Sequence, residues 1–124
     1  MGTVKELRIA TSDKNQLIDV TDIIQELIEA NGIREGLVCL YVPHSGAAIS
    51  IHRSVQPEQG PDLTILLEPL AGGSASSFAK AAIVAPTEIL IVHNGRLAMD
   101  RDQRVFFYEF DGPAERRLLV YLAP

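Results

Sequence analysis

Between residue 88 and residue 121 the chain has four short apolar segments with no helical pattern between them. The segments are residues 88–92, 96–100, 105–110 and 116–121. Asn94-Gly95 separates the first two and supplies the positive φ values of a type I′ hairpin turn. Asp111-Gly112-Pro113 separates the last two and predicts a second antiparallel pair. Consecutive strands joined by tight turns argue against a parallel sheet of repeated strand–helix–strand units.

The first two thirds of the chain predict further strands and two or three helices. Leu7 and Ile9 alternate with Glu6 and Arg8, which is typical of an edge or half-exposed strand. The predicted strands are residues 5–11, 17–20, 36–42 and 47–53, of which 36–42 is apolar enough for a central strand covered on both faces. Thr21 or Asp19 is predicted to cap the first helix through its side-chain oxygen, and Asn31-Gly32 to end it. The other two predicted helices cover 61–70 and 78–84. Residues 71–77 read as a flexible connection.

About eight strands and two or three helices, with the late strands consecutive, predict an α+β fold with a largely antiparallel or mixed sheet. The chain has 124 residues, a length that fits one domain. We therefore expect a single domain over residues 1–124.

Composition narrows the classes of partner and compartment. The net charge is −5 and no run of Lys or Arg occurs, so nucleic acid and anionic membrane are poor partners. No stretch reaches the roughly 18 apolar residues of a membrane span, and the N-terminus lacks an apolar signal region, so we expect a cytoplasmic protein. The one cysteine, Cys39, excludes an internal disulfide and is interpreted as a buried small hydrophobe.

His44 follows an apolar strand at a predicted chain reversal, where an imidazole and backbone amides can face one ligand. Its functional interpretation is a metal ligand or a proton shuttle; its structural one is a histidine held by a backbone hydrogen bond. His44 and His52 would be about 26 Å apart in one strand, so they cannot share an ion locally. His93 reaches His44 only through tertiary pairing. The residues leave open whether any metal or cofactor is bound.

Other polar residues have both a structural and a functional interpretation. Ser45 either forms part of an anion-binding turn or belongs to an ordinary one. Arg96 either grips phosphate with its planar guanidinium or merely follows the hairpin turn. Lys80 is the one charge among apolar helix residues, so its direction matters. Asp62 starts a helix or acts as a base. Gln103 and Glu109 are sheet-surface residues or ligand-binding groups.

Several of these residues together resemble one protein family over nearly the whole chain. The matching positions are His44, Ala47, the alternation through Ile51, Asp62, Lys80, Asn94-Gly95-Arg96, Gln103 and Glu109-Phe110-Asp111-Gly112-Pro113. They resemble the YjbQ-like family, some members of which are named secondary thiamine-phosphate synthase enzymes. The resemblance implies a homotrimer acting on a small phosphorylated or anionic ligand. It implies catalytic roles for His44 and Asp62, and ligand-binding roles for Ser45, Lys80, Arg96, Gln103 and Glu109.

The chain departs from the family pattern where a metal or acid–base site would stand. His52-Arg53 replaces Asn-Glu, Gln56 replaces Asp, and Phe78 replaces a helix histidine. A single matching imidazole cannot hold zinc without other ligands. A cationic pocket of Arg53, Lys80, Arg96 and Arg104 is an alternative hypothesis.

Two functional readings therefore stay open, and with them the question of whether the chain is an enzyme. One is weak activity resembling thiamine-phosphate synthesis. The other is a catalytically degenerate homotrimer that binds a small anion or serves a structural or interaction role. Both rest on the expectation that His44 and Arg96 converge on one cavity.

Overall fold

The strand pairings within residues 1–56 and 76–124, which the computed structural model describes, are all antiparallel. The elements in chain order are β1 (Thr3–Ala10), β2 (Gln16–Asp19), α1 (Thr21–Ala30), β3 (Gly36–Tyr41), β4 (Ala47–Arg53), α2 (Ser76–Val84), β5 (Thr87–His93), β6 (Arg96–Leu97), β7 (Gln103–Glu109) and β8 (Glu115–Ala123). The predicted α+β class is confirmed. The predicted helix over 61–70, with Asp62, lies outside the described residues, as do residues 71–75 of the predicted connection. Its last two residues, Ser76 and Ser77, begin α2.

The strands form two sheets, and the chain changes sheet between β7 and β8. The five-stranded sheet has the order β1-β8-β3-β5-β6, and the three-stranded sheet has the order β2-β7-β4. The prediction that β7 and β8 form a hairpin is wrong. Both edges of β7 are occupied by β2 and β4, and both edges of β8 by β1 and β3, so neither strand has an edge left for the other.

The main core lies between the inner face of the five-stranded sheet, α1 and one face of the three-stranded sheet. Its fully buried members include Ile24, Ile28, Val38, Leu40, Ile49, Phe107, Leu118 and Val120. A second, smaller cluster lies on the other face of the three-stranded sheet and joins Ala48, Tyr108 and Phe110 to Ala81 of α2. The second cluster fixes α2 beside the loop that follows β3.

Local sequence explains the two ends of α1. Neither predicted cap, Asp19 or Thr21, is the N-cap residue, which is Val20 and makes no side-chain cap bond. Asp19 Oδ1 accepts a hydrogen bond of 3.0 Å from the amide of Thr21, the first helical residue. Thr21 Oγ1 instead accepts a 2.7 Å bond from the amide of Val105 in β7. The helix ends at Ala30 with Asn31 as its C-cap residue, and Gly32 adopts a φ of +65°.

The predicted Asn94-Gly95 hairpin is present, with a shorter second strand. Asn94 and Gly95 have φ values of +54° and +76°, as a type I′ turn requires. The second strand was predicted to extend to Asp100, but β6 covers only Arg96–Leu97. The backbone turns there instead: the Gln103 amide donates to the Asp100 carbonyl at 3.0 Å, and Gln103 Oε1 accepts from the Asp100 amide at 2.9 Å.

The prediction that β3 is covered on both faces is wrong within one chain. Val38 and Leu40 are fully buried, whereas Leu37 and Tyr41 are 37% and 45% exposed, and Cys39 is half-buried. We call this side of the five-stranded sheet the outer face. The strand registers place on it the exposed apolar side chains of Val4, Leu37, Tyr41, Ile89, Ile91 and Tyr121. β1 lies at the sheet edge, as its alternating pattern predicted.

Neither helix in the described ranges combines the length and the apolar character that crossing a membrane requires.

Candidate functional site

His44 lies in the loop between β3 and β4, and backbone hydrogen bonds hold both ends of that loop. The Val42 amide donates to the Pro86 carbonyl at 2.9 Å, and the Phe110 amide donates to the Gly46 carbonyl at 2.9 Å. The imidazole itself is held by β8, because the Arg117 amide donates to His44 Nε2 at 2.9 Å. The histidine held by a backbone bond, one of the two interpretations from sequence, is therefore present.

A buried ion pair lies next to this loop. Glu109 is fully buried, and its two oxygens accept hydrogen bonds from Nε and Nη2 of Arg116, both of 2.8 Å. Two further groups donate to the same carboxylate: Thr11 Oγ1 at 2.8 Å and the Asp111 amide at 3.0 Å. Burial alone would raise the pKa of Glu109, but the bonds from Arg116, Asp111 and Thr11 outweigh it and hold that pKa below its usual range.

The ion pair also limits what fits at position 46. A Cβ atom on Gly46 would lie 2.9 Å from Asp111 Cβ and 3.2 Å from Arg116 Nη2. Glycine therefore lets the His44 loop approach the segment between β7 and β8 closely.

His44 stands between two cavities of different character. One, of about 220 Å³, is lined by Arg8, His44, Glu115, Arg116 and Arg117. The other, of about 420 Å³, is lined by His44, Ser45, Ala47, Phe78, Ala81, Ala82 and Pro86. Burial first, and the charges of Arg116 and Arg117 second, lower the pKa of His44 against the opposing effect of Glu109. The neutral form of the imidazole is thus favoured, and the ring borders one cavity lined by arginines and one that is mainly apolar.

Lys80 points into the protein. It is 2% exposed, and its Nζ lies 6.0 Å from the centroid of the Phe110 ring, a cation–π arrangement. Ser77, one turn earlier in α2, donates a 2.9 Å hydrogen bond to the Phe110 carbonyl. The charge of Lys80 therefore lies in the small cluster under α2, next to the His44 loop.

Arg96 and Gln103 lie together, but they line a different cavity from those beside His44. Both line a cavity of about 310 Å³ with Asp22, Arg101, Arg104 and five other residues. Arg104 in that cavity is bound to Asp19 at 2.7 Å and to Asp22 at 3.1 Å. Of the four residues in the proposed cationic pocket, Arg96 and Arg104 share this cavity, whereas Lys80 lies under α2.

The expectation that His44 and Arg96 converge on one cavity is wrong within a single chain. His44 follows the end of β3 at Tyr41, which pairs with Thr87. Arg96 follows the turn at the opposite end of the same ladder, where Gly36 pairs with Val92. The length of β3 therefore separates the two side chains.

The roles assigned to the sequence-predicted residues stay predictions, and the structure gives the surroundings of all of them except Asp62, which lies outside the described residues. His44 and Ser45 line the mainly apolar cavity, whereas Glu109 is buried and bound to Arg116, which lines the other cavity beside His44. Sequence reasoning missed Arg8, Arg116 and Arg117. The signal available was the Arg116-Arg117 pair in an alternating strand, which sends one guanidinium to each face of the sheet.

The other two histidines are engaged elsewhere. His52 stacks on Phe106 with ring centroids 4.5 Å apart, and its Nε2 lies 2.8 Å from the Tyr108 hydroxyl. His93 Nδ1 lies 2.8 Å from Glu35 Oε2. Across residues 1–56 and 76–124, no three His, Cys, Asp or Glu side chains come close enough together to hold a metal ion.

Comparison with known proteins places the whole fold in one family. Residues 5–124 match the family model described as UPF0047 protein YjbQ-like. The UPF0047 protein YugU of Bacillus subtilis is 28% identical over 94% of this chain and 96% of its own length. A UPF0047 protein of Archaeoglobus fulgidus is 31% identical over 93% of this chain and 97% of its own length.

Solved structures agree. A YjbQ/UPF0047-family protein from Clostridium acetobutylicum superposes with a TM-score of 0.88 at 26% identity, covering 96% of this chain and 99% of the other. A hypothetical protein of Aeropyrum pernix K1 superposes with a TM-score of 0.89 at 26% identity, covering 98% of each chain. The sequence matches, together with two antiparallel sheets in a shared arrangement, show that this chain belongs to the YjbQ-like UPF0047 family.

Proposed function

We propose that this chain binds a small anionic ligand, a phosphorylated one above all, at the cavity that His44 shares with Arg8, Arg116 and Arg117. One observation carries the proposal: an imidazole whose Nε2 accepts a hydrogen bond from the Arg117 amide borders a cavity lined by three arginine residues. Guanidinium groups suit phosphate and carboxylate because their donors match the spacing of two acceptor oxygens.

Three carboxylates stand against the three arginines of this cavity, but they are unevenly placed. Arg116 is paired with buried Glu109, but Arg8 and Arg117 share a single carboxylate, that of Glu6, at 3.8 and 3.3 Å. Glu115 also lines the cavity and opposes an anion there. An anion is therefore expected nearer Arg8 and Arg117 than Glu115.

The mainly apolar cavity on the other side of His44 supports an organic ligand rather than a bare ion. It has room for a small group against Phe78, Ala81 and Pro86. Any turnover resembling thiamine-phosphate synthesis is proposed to be weak. Such chemistry needs cations that stabilise departing pyrophosphate, and Arg96 lies at the other end of β3 from His44.

Titration calorimetry with inorganic phosphate and with a simple phosphate monoester tests the binding. Arg8→Ala should weaken the affinity for both ligands, whereas Glu115→Gln should strengthen it by removing the opposing charge. Arg101→Ala, in the other polar cavity, is the matched control and should change nothing. If the wild-type protein shows no binding below millimolar concentration, the proposal fails.

A turnover assay on the purified protein, with and without added divalent metal, tests the catalytic part of the proposal. His44→Ala belongs beside it. Activity that survives this change would contradict the role given to His44.

A second candidate function is a structural one, in which assembly into a homotrimer is the main property of the protein. The outer face favours it, because Ile89 and Ile91 on β5 are 62% and 57% exposed beside the exposed apolar side chains of β3. Such a surface is typical of a protein–protein interface.

A further inference from the structure

We infer that His44 is locked as the neutral tautomer with its proton on Nδ1, so that it donates a hydrogen bond to a ligand oxygen and is neither a general base nor a metal ligand through Nε2. The role of His44 as a donor to a ligand rests on the proposed anion binding. The assignment of the tautomer does not rest on it.

The backbone bond from β8 fixes the tautomer. The Arg117 N–H donates to His44 Nε2 at 2.9 Å, so Nε2 bears a lone pair and no proton. A neutral imidazole with a bare Nε2 carries its proton on Nδ1. Within the described ranges Nδ1 makes no hydrogen bond of its own, which leaves this donor available to a ligand.

The amide that holds Nε2 cannot easily move away. Arg117 lies in the middle strand of the β1-β8-β3 ladders, opposite Arg8. The β3–β8 pairing ends at Tyr41 and Leu119, and its register continued would set Pro43 opposite Arg117. The imidazole of His44 thus takes the place that a strand carbonyl would have held. The neighbouring Arg116 is anchored to buried Glu109, which fixes the start of β8 further.

The bond from Arg117 and the burial of the ring favour its neutral form, and the surrounding charges act in both directions. Arg116 and Arg117 on β8 and Arg8 on β1 are cations, whereas Glu6 on β1, Glu109 on β7 and Glu115 on β8 are carboxylates. Protonation of Nε2 would set two N–H groups against each other and would break the bond from Arg117. Access of a proton or a metal ion to Nε2 therefore requires the loop to leave β8.

The ligand atom that fits this donor is an acceptor oxygen. A phosphate or carboxylate oxygen accepts from Nδ1–H and also gains from the nearby guanidinium groups. An ammonium group has no acceptor and is repelled by the same arginines. The geometry therefore points to an oxyanion rather than a cation at His44.

Nitrogen NMR on histidine-labelled protein tests the tautomer directly. The His44 signals are assigned by their absence from the spectrum of the His44→Gln variant. At pH 7 we expect Nδ1 to carry the proton and Nε2 to be unprotonated. A proton on Nε2, or on both nitrogens, would overturn the inference.

Two substitutions separate the two nitrogens. His44→Asn keeps a donor near the position of Nδ1, whereas His44→Gln keeps an acceptor near that of Nε2. In calorimetry with inorganic phosphate, His44→Asn should bind more tightly than His44→Gln, and His44→Gln should lose at least about tenfold against the wild type, or ~1.4 kcal/mol. Equal binding by His44→Gln and the wild type would overturn the donor role.

The outcomes distinguish this inference from the proposed function. A proton on Nε2 in a protein that still binds phosphate sinks the inference alone. A proton on Nδ1 in a protein that binds no phosphate confirms the locked ring and sinks the anion-binding proposal, together with the donor role.

Discussion

The carboxylate of Glu109, shut off from solvent, accepts two hydrogen bonds of 2.8 Å from the guanidinium of Arg116. This pair joins β7 of the three-stranded sheet to β8 of the five-stranded sheet. Removing one partner of such a pair leaves the other charge buried and uncompensated.

Glu109→Gln is therefore expected to lower the free energy of unfolding by about 3 kcal/mol, through the unpaired Arg116. Urea unfolding followed by circular dichroism measures it. Glu115→Gln, an exposed carboxylate at the start of β8, is the control and should change the unfolding free energy little. Equal losses in the two variants would contradict the structural importance given to the pair.

The stability of the protein is expected to fall as the pH drops below about 6.5, the ordinary histidine pKa, partly because of His44. Burial, with Arg116 and Arg117, lowers its pKa in the folded protein, so the unfolded chain binds the proton first. Stability therefore rises with pH through this window and is lost as the pH falls. Unfolding free energies at pH 7.5 and 5.5 measure the change. In His44→Gln the loss should be smaller; an identical loss in both proteins would show that His44 titrates normally.

Gly32→Ala isolates the cost of a left-handed backbone at the end of α1. Gly32 has a φ of +65°, and an added Cβ would meet no atom within 4 Å, so the conformation alone is at issue. We expect a loss of about 1 kcal/mol in thermal or urea unfolding. Gly32→Asn should lose less, because asparagine tolerates this conformation better. An alanine variant as stable as the wild type would contradict the observed φ.

The outer face is expected to hold the proposed homotrimer together, and Ile89→Asp should dissociate it, because burying an unpaired carboxylate there is unfavourable. Light scattering at micromolar concentration gives the mass of each protein. Ile23→Asp, which replaces an exposed apolar residue on α1, is the matched control and should remain trimeric. A monomeric wild type would end the homotrimer proposal, and a trimeric Ile89→Asp would assign the contact to another surface.

Patterns within a few residues predicted the elements of this fold well. The alternation of Leu7 and Ile9 gave an edge strand, and Asn94-Gly95 gave its turn, because side-chain period and backbone φ are local properties. Which strands pair is not local. β7 and β8 are neighbours in sequence and read as a hairpin, yet each has both edges filled by distant strands.

The same limit applies to the candidate site. Residue type and position pointed to His44, but its partner, the Arg117 amide, lies 73 positions away and carries no side-chain signal. Glu109 read as a surface or ligand-binding residue because nothing nearby in sequence reveals that Arg116 and Thr11 enclose it. A side chain's burial follows from the sheet arrangement, which must be known first.

The order of strands in the larger sheet has a consequence for how the chain reaches this structure. β8, the strand between β1 and β3, comes last among the described strands, and the Glu6–Arg117 contact across its edge joins residues 111 positions apart. During synthesis the edges of β1 and β3 that pair with β8 stay unpaired until β8 has left the ribosome. Pairings between residues so far apart in sequence form slowly, so nascent chains are most prone to aggregate just before β8 pairs with β1 and β3.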